Sequence, residues 1–176
     1  MTAEVRLPAP RTPGRYAVEL VCLGNICRSP TAHVVLADAV DRAGLGDRVA
    51  VTSSGTAGWH TGKPMDARSA AVLRDAGLDP DRHRARRWEA ATAASADLVL
   101  AMDAQNLADV RATLVEAGLV EEPGRVRLFR DLDPQGRGQD VPDPYYGGDD
   151  GFREVLAMVR RTGDELVAAI GRVLGA

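Results

Sequence analysis

Tyr16-Ala-Val-Glu-Leu-Val-Cys22-Leu-Gly-Asn-Ile-Cys27-Arg28-Ser29-Pro30 is the most informative segment of the chain. Its first seven residues are rich in β-branched and apolar types and run straight into a glycine-containing turn, which predicts a strand over 16–22. Ser29 and Pro30 then read as a helix start, Ser29 as cap and Pro30 at the first helical position. Val35, Leu36, Ala39, Val40 and Ala43 follow at helical spacing, and Gly44 ends the run. A strand feeding a helix through a short loop is the first half of a parallel βαβ unit.

The same alternation recurs downstream. Val49–Thr52 reads as a second strand, and 66–76 as a helix closed by Gly77. A short helix over 88–95 precedes a third strand, Asp97–Met102. A helix over 104–117 ends at Gly118, and Arg125–Phe129 is the fourth strand. Phe152, Val155, Leu156, Val159, Leu166, Val167 and Ile170 share one face of a long last helix, within which Gly163 marks close packing. The expected fold is α/β: one domain, a three-layer sandwich with a four-stranded parallel sheet flanked by helices and a phosphate-binding loop after the first strand. Residues 1–15, rich in Pro, Arg and Thr, read as a flexible N-terminal extension, and 16–176 as the domain.

Composition narrows the function. A chain of 176 residues with 45% apolar content fits one globular domain. The net charge of −3 argues against general nucleic-acid binding. The basic run Arg82–Arg87 reads as a solvated loop, or as an attractor for an anionic substrate if it borders the site. With two cysteines, no apolar leader and no membrane-length apolar stretch, the expectation is a cytoplasmic protein with neither membrane nor nucleic-acid partner.

The chemistry resides in the 22–30 loop. A loop feeding a helix N-terminus aims several backbone N–H groups into one concavity, and the helix dipole adds positive potential. Gly24 and Asn25 are residue types that tolerate the unusual backbone angles of such a cradle. Cys22 at its base becomes a stabilised thiolate nucleophile beside a tetrahedral dianion. Arg28 offers a planar fork for two phosphoryl oxygens, and Ser29 a hydroxyl for the sulfur. A leaving group such as a tyrosyl oxygen also needs an acid. Asp143-Pro-Tyr-Tyr-Gly-Gly148 supplies a carboxylate before the last helix, with Tyr145 and Tyr146 to wall an aromatic ring. A nucleotide-type phosphate loop does not fit, because no Gly-Lys-Ser/Thr follows the glycine. His33, His60 and His83 lack ligand spacing, so neither metal nor cofactor is expected.

Cys22-Leu-Gly-Asn-Ile-Cys-Arg-Ser-Pro30 together with Asp143-Pro-Tyr-Tyr-Gly147 resembles the low-molecular-weight protein tyrosine phosphatase family over about residues 16–172. The resemblance implies hydrolysis of phosphotyrosine in a protein substrate, releasing inorganic phosphate, by a monomer or weak dimer. Cys22 would attack phosphorus, Arg28 bind the phosphoryl group, and Asp143 act as general acid and then base. Leu23, Gly24, Asn25, Ile26, Cys27, Ser29, Trp59, Tyr145 and Tyr146 would contact substrate, with Ser53 and His83 as a supporting hydrogen-bond network that Asn25 and Ser29 join. Asp66, Asp103 and Asn106 continue the family pattern and also read as helix caps. Cys27 either supports the loop or forms a reversible disulfide with an oxidised Cys22. Two related activities compete. Arsenate reduction needs cysteines beyond 22–27 that the chain lacks. Arginine phosphatases tend to carry Thr at the position of Ile26 and Phe-Gly after the Asp-Pro, so Ile26 and Tyr145-Tyr146 favour an aromatic ester.

Overall fold

Tyr16–Cys22 forms β1 in the computed structural model, which describes residues 4–176. The remaining elements are α1 (Arg28–Arg42), β2 (Val49–Gly55), α2 (Ala67–Asp75), α3 (Thr92–Ser95), β3 (Leu98–Ala101), α4 (Ala104–Glu116), β4 (Val126–Leu128), a 3₁₀ turn (Phe129–Leu132) and α5 (Asp149–Leu174). The sheet is fully parallel in the order β2-β1-β3-β4. Chain direction across the sheet therefore reverses at β1, and the crevice outside its carboxyl end is where such sheets bind ligands.

Alternation along β1 splits the core between two helical layers. Val18, Leu20 and Cys22 belong to a cluster with Val35 and Leu36 of α1, Leu73 of α2, and Val159 and Leu166 of α5. Val21 faces the other way, joining Val99, Val126, Trp88, and Val110 and Leu114 of α4. A Cβ on Gly163 would meet Leu36 Cδ1 of α1 at 3.9 Å, an ordinary van der Waals contact, so α5 faces α1 here without a crowding that demands glycine.

Glu19 shares the second face with Val21 and is fully buried. Its carboxylate accepts from Arg86 Nη2 at 2.7 and 2.8 Å, from Ser54 Oγ at 2.6 Å, and from Thr52 Oγ1. A buried carboxylate survives only when so paired. The pairing requires β2 to continue through Ser53, Ser54 and Gly55, three residues beyond the expected end at Thr52.

Other boundaries differ for local reasons. Ser29 is not the cap of α1: the helix begins at Arg28 with Cys27 as N-cap, and the Ser29 hydroxyl is used elsewhere. The helix expected over 88–95 shortens to 92–95, because Trp88 N donates to Gly55 O in an extended bridge. The fourth strand stops at Leu128, and Phe129 turns into the 3₁₀ segment.

The extension expected to be flexible lies against the domain from residue 4 onward, while residues 1–3 fall outside the described residues. Val5 and Leu7 pack on the core, and Tyr16 Oη donates to Pro8 O at 3.1 Å. Arg11 N donates to Asp97 Oδ1 at 2.6 Å and its Nε to Ala96 O at 2.9 Å. Contacts to the domain anchor this Pro-rich segment at several points, which composition alone does not reveal.

The end of the sheet is tied to α5 by a buried carboxylate. Asp133 accepts from Arg161 Nε and Nη2 at 2.7 and 2.8 Å, from Arg130 Nε at 2.9 Å and from Gln135 N at 2.9 Å. Chiefly through Arg161, its carboxyl is held well below the usual carboxylate range. A depressed folded-state pKa gives stability that is present above the unfolded value of about 3.9 and disappears as pH falls through the folded value. Asp133→Asn should therefore cost about 3 kcal/mol in urea unfolding at neutral pH, since it leaves the buried Arg130 and the half-buried Arg161 without their carboxylate. The difference from wild type should shrink as the pH is lowered below about 4. An equal cost at both pH values would remove the charge from the explanation.

Candidate active site

Cys22 is the last residue of β1, opposite Gly55 of β2, and the loop that follows closes over its sulfur. Asn25 N donates to Cys22 Sγ at 3.3 Å, and Ser29 Oγ lies 3.0 Å from the same sulfur. The Asn25 amide can only donate to the sulfur, while the Ser29 hydroxyl, which also lies 3.3 Å from Ser54 O, can donate to the sulfur or accept from it. Asn25 adopts φ 56°, the one positive φ of a non-glycine among the described residues. Gly24 needs no such angle; its missing Cβ leaves room for the His60 ring, which a Cβ would meet at 3.0 Å.

Asn25 is held from every side. Its Nδ2 donates to Ser29 Oγ at 2.8 Å and Ser53 Oγ at 3.0 Å, and its Oδ1 accepts from Arg86 N at 3.0 Å. Its backbone carbonyl lies 2.7 Å from His83 Nε2. A carbonyl can only accept, so Nε2 carries the proton. Burial lowers the His83 pKa and so favours its neutral form. His33 Nδ1 lies 3.2 Å from Ser53 Oγ, and burial pushes this imidazole down to about 4. A neutral His33 accepts the proton that Ser53 has free after receiving Asn25. Asn25, Ser29, Ser53 and His83 are buried beneath the cradle, with His33 half-buried beside them. Asn25 and Ser29, expected also among the substrate contacts, thus serve as its internal scaffold.

The basic run Arg82–Arg87 is neither simply solvated nor simply an attractor. His83 and Ala85 are buried, Arg86 grips Glu19 and Ser53 O, and Arg82, Arg84 and Arg87 face solvent. The segment also donates to Asn25 from His83 and Arg86, so the cradle rests on a strap 58 and 61 residues away in sequence.

Gly55 sits where that strap, β2 and the cradle meet. A Cβ there would lie 2.6 Å from Leu23 O and 2.9 Å from Asn25 N. Those are backbone atoms that cannot swing aside. Gly55→Ala should lower kcat/KM at least about tenfold and destabilise the fold by about 1–3 kcal/mol. Unchanged kinetics would show that the loop tolerates displacement.

Arg28 opens α1 and is almost wholly buried. Its Nη1 donates to Asp103 Oδ2 at 2.5 Å and Val141 O at 3.1 Å, while Nη2 is 3.5 Å from Asp143 Oδ2. Burial opposes its charge, but the Cys22 sulfur and the two carboxylates outweigh that and raise its pKa. Asp103 also caps α4, accepting from Asn106 N at 2.7 Å. The capping role was legible from sequence. The ion pair across 75 residues was not.

A cavity of about 140 Å³ opens above Cys22, lined by Leu23, Gly24, Ile26, Cys27, Arg28, Trp59, His60, Asp143, Tyr145 and Tyr146. His60 is the addition to the expected set. Trp59 is 71% exposed and Tyr146 94% exposed, so both stand at the mouth rather than in the floor. Tyr145 meets Tyr146 edge to face at 4.9 Å between centroids. Both cysteines are free and buried. Burial, helped by Asp66, pushes the Cys27 thiol up to about 12, so it stays protonated beside the cavity. No group of three or more potential metal ligands occurs among the described residues.

Comparison with known proteins agrees with this geometry. The sequence model of the family described as low molecular weight phosphotyrosine protein phosphatase matches residues 17–174. A "Low molecular weight protein-tyrosine-phosphatase" of Streptomyces coelicolor is 46% identical over 157 residues, covering 88% of this chain and 93% of that protein. A "Low molecular weight protein-tyrosine phosphatase A" of Mycobacterium tuberculosis is 44% identical over 144 residues, covering 81% and 83%. Among solved structures, YfkJ from Bacillus subtilis superimposes with a TM-score of 0.82 at 31% identity, over 92% of this chain and 98% of that one.

Proposed function

Because this chain belongs to the low molecular weight phosphotyrosine protein phosphatase family, we propose that it hydrolyses phosphotyrosine in proteins through a phosphoryl group carried on Cys22. The observation that carries the reading is the convergence of the Cys22 sulfur, the Arg28 guanidinium and the Asp143 carboxylate on one cavity.

In the first step Cys22 Sγ attacks phosphorus in line with the tyrosyl oxygen. The S–P bond forms, the P–O bond breaks, and Asp143 gives its proton to the departing phenol. Arg28 Nη1 is engaged by Asp103 and Val141, which leaves the Nε–Nη2 edge for two phosphoryl oxygens. The remaining charge falls on the loop N–H groups and the start of α1. In the second step the Asp143 carboxylate takes a proton from water, and the water oxygen attacks phosphorus. The S–P bond breaks and inorganic phosphate leaves, with Ser29 Oγ donating to the re-forming thiolate. This chemistry calls on no metal or cofactor.

Trp59, Tyr145 and Tyr146 give the cavity an aromatic rim, which supports an aryl ester over a guanidine phosphate. The same reading takes residues 16–176 as the phosphatase domain, acting as a monomer or weak dimer in the cytoplasm, where the nucleophile stays reduced. No helix among the described residues is long and apolar enough to cross a membrane.

The test is phosphate release from matched phosphotyrosine and phosphoarginine peptides without added metal. Phosphotyrosine should be favoured at least about tenfold in kcat/KM, a difference of about 1.4 kcal/mol in transition-state binding. A preference for phosphoarginine would keep the mechanism and overturn the substrate.

A further inference from the structure

The two loops that carry the nucleophile and the acid do not follow one another in sequence, and α2 begins between them. Asp66 N donates to Ile26 O at 2.8 Å, tying the helix start to the cradle. The Asp66 carboxylate caps α2 through Arg68 N at 2.8 Å and also accepts from Arg68 Nε and Nη2 at 3.1 and 3.0 Å. The third corner of that guanidinium, Nη1, donates to Tyr145 O at 3.0 Å. Its flat faces serve as well: its central carbon lies 5.3 Å from the Tyr145 ring centroid and 4.5 Å from that of Phe152 in the first turn of α5.

We propose that Arg68 is a positioning residue for the reaction, fixing the acid loop to the frame that holds the nucleophile. The link to Asp143 is short. Tyr145 N donates to Asp143 Oδ1 at 3.1 Å, so the residue that Arg68 grips by its carbonyl orients the carboxyl by its amide. The path from Ile26 through Asp66, Arg68 and Tyr145 to Asp143 consists of hydrogen bonds that run from the nucleophile loop, across the start of α2, to the acid loop. Lysine cannot reproduce it, because a point charge cannot hold a carboxylate with two donors, reach a carbonyl and stack between two rings together. Sequence reasoning passed Arg68 over because an arginine in the first turn of a helix, next to its capping aspartate, looks like an ordinary surface pair.

This role rests on the reading of Asp143 as the acid, and the test separates the two. The measurement is kcat/KM for phenyl phosphate, a poor leaving group that needs protonation, and for 4-nitrophenyl phosphate, which needs it far less. Arg68→Ala should lose about tenfold on phenyl phosphate and less than about twofold on 4-nitrophenyl phosphate, since misplacing a catalytic group costs most where its proton matters. Arg68→Lys should fall between wild type and Arg68→Ala. Asp143→Asn should show the same pattern with a larger amplitude. The ratio between two substrates does not depend on how much of a variant is folded, so a partial loss of stability cannot imitate the result. Equal losses on both substrates in Arg68→Ala, or none on either, while Asp143→Asn discriminates, would overturn the positioning role alone. No discrimination by Asp143→Asn would overturn the acid assignment and the proposal with it.

Discussion

Cys22→Ser is expected to lower phosphate release by at least about 10⁴-fold while leaving the fold and anion binding in place. A serine oxygen is smaller than sulfur and can take the same hydrogen bonds from Asn25 N and Ser29 Oγ. It remains protonated at neutral pH, however, and the groups that touch this atom, Asn25 N and Ser29 Oγ, have no proton affinity in that range, while Asp143 must keep its proton for the leaving group. The cradle of N–H groups and Arg28 is untouched. The variant should therefore retain phosphotyrosine peptides in equilibrium binding, with a melting temperature close to wild type. Activity retained at more than a few per cent would mean that the nucleophile lies elsewhere.

Arg28→Lys should cost about 10²–10³-fold in kcat/KM, the loss typical of one oxyanion donor. Charge is conserved in this variant; geometry is not. The guanidinium spans Asp103 and Val141 O on one corner and leaves an edge for phosphate, whereas an ammonium at that depth can satisfy Asp103 or the substrate but not both. Substitution to Ala should be worse for stability, because it leaves the partly buried Asp103 without its cation. A loss for Arg28→Lys of less than about fivefold would point to a purely electrostatic contribution.

The order of strands and helices was legible because glycine stops and apolar periods mark each element locally. The nucleophile loop was legible for the same reason, with Cys22, Gly24, Asn25 and Arg28 contiguous and each residue type carrying its own chemical demand. What sequence could not show were partners brought together by the fold. Glu19 looks like an outward-facing strand residue until Arg86, Ser54 and Thr52 surround it. Ser53, Ser54 and Gly55 look like a loop for lack of apolar side chains, although their backbones pair with β1, the Ser54 hydroxyl serves the buried Glu19 and the Ser53 hydroxyl meets His33. His33 reads as a surface or packing residue at helical spacing, and only the position of Ser53 brings it into the network. Ser29-Pro30 imitates a helix start so well that the earlier start at Arg28 is hidden. The reason is functional: the Ser29 hydroxyl, which a capping role would consume, is aimed at the Cys22 sulfur.

Rapid acid quench of wild type and Asp143→Asn during turnover of a phosphotyrosine peptide, followed by mapping of the trapped phosphoryl group, tests the central claim most directly. The account predicts a single phosphoryl group on Cys22, formed no more slowly than turnover and absent from Cys22→Ser. A phosphorylated histidine, serine or aspartate, or steady release of phosphate with no protein-bound phosphoryl group while Cys22→Ser stays active, would contradict it.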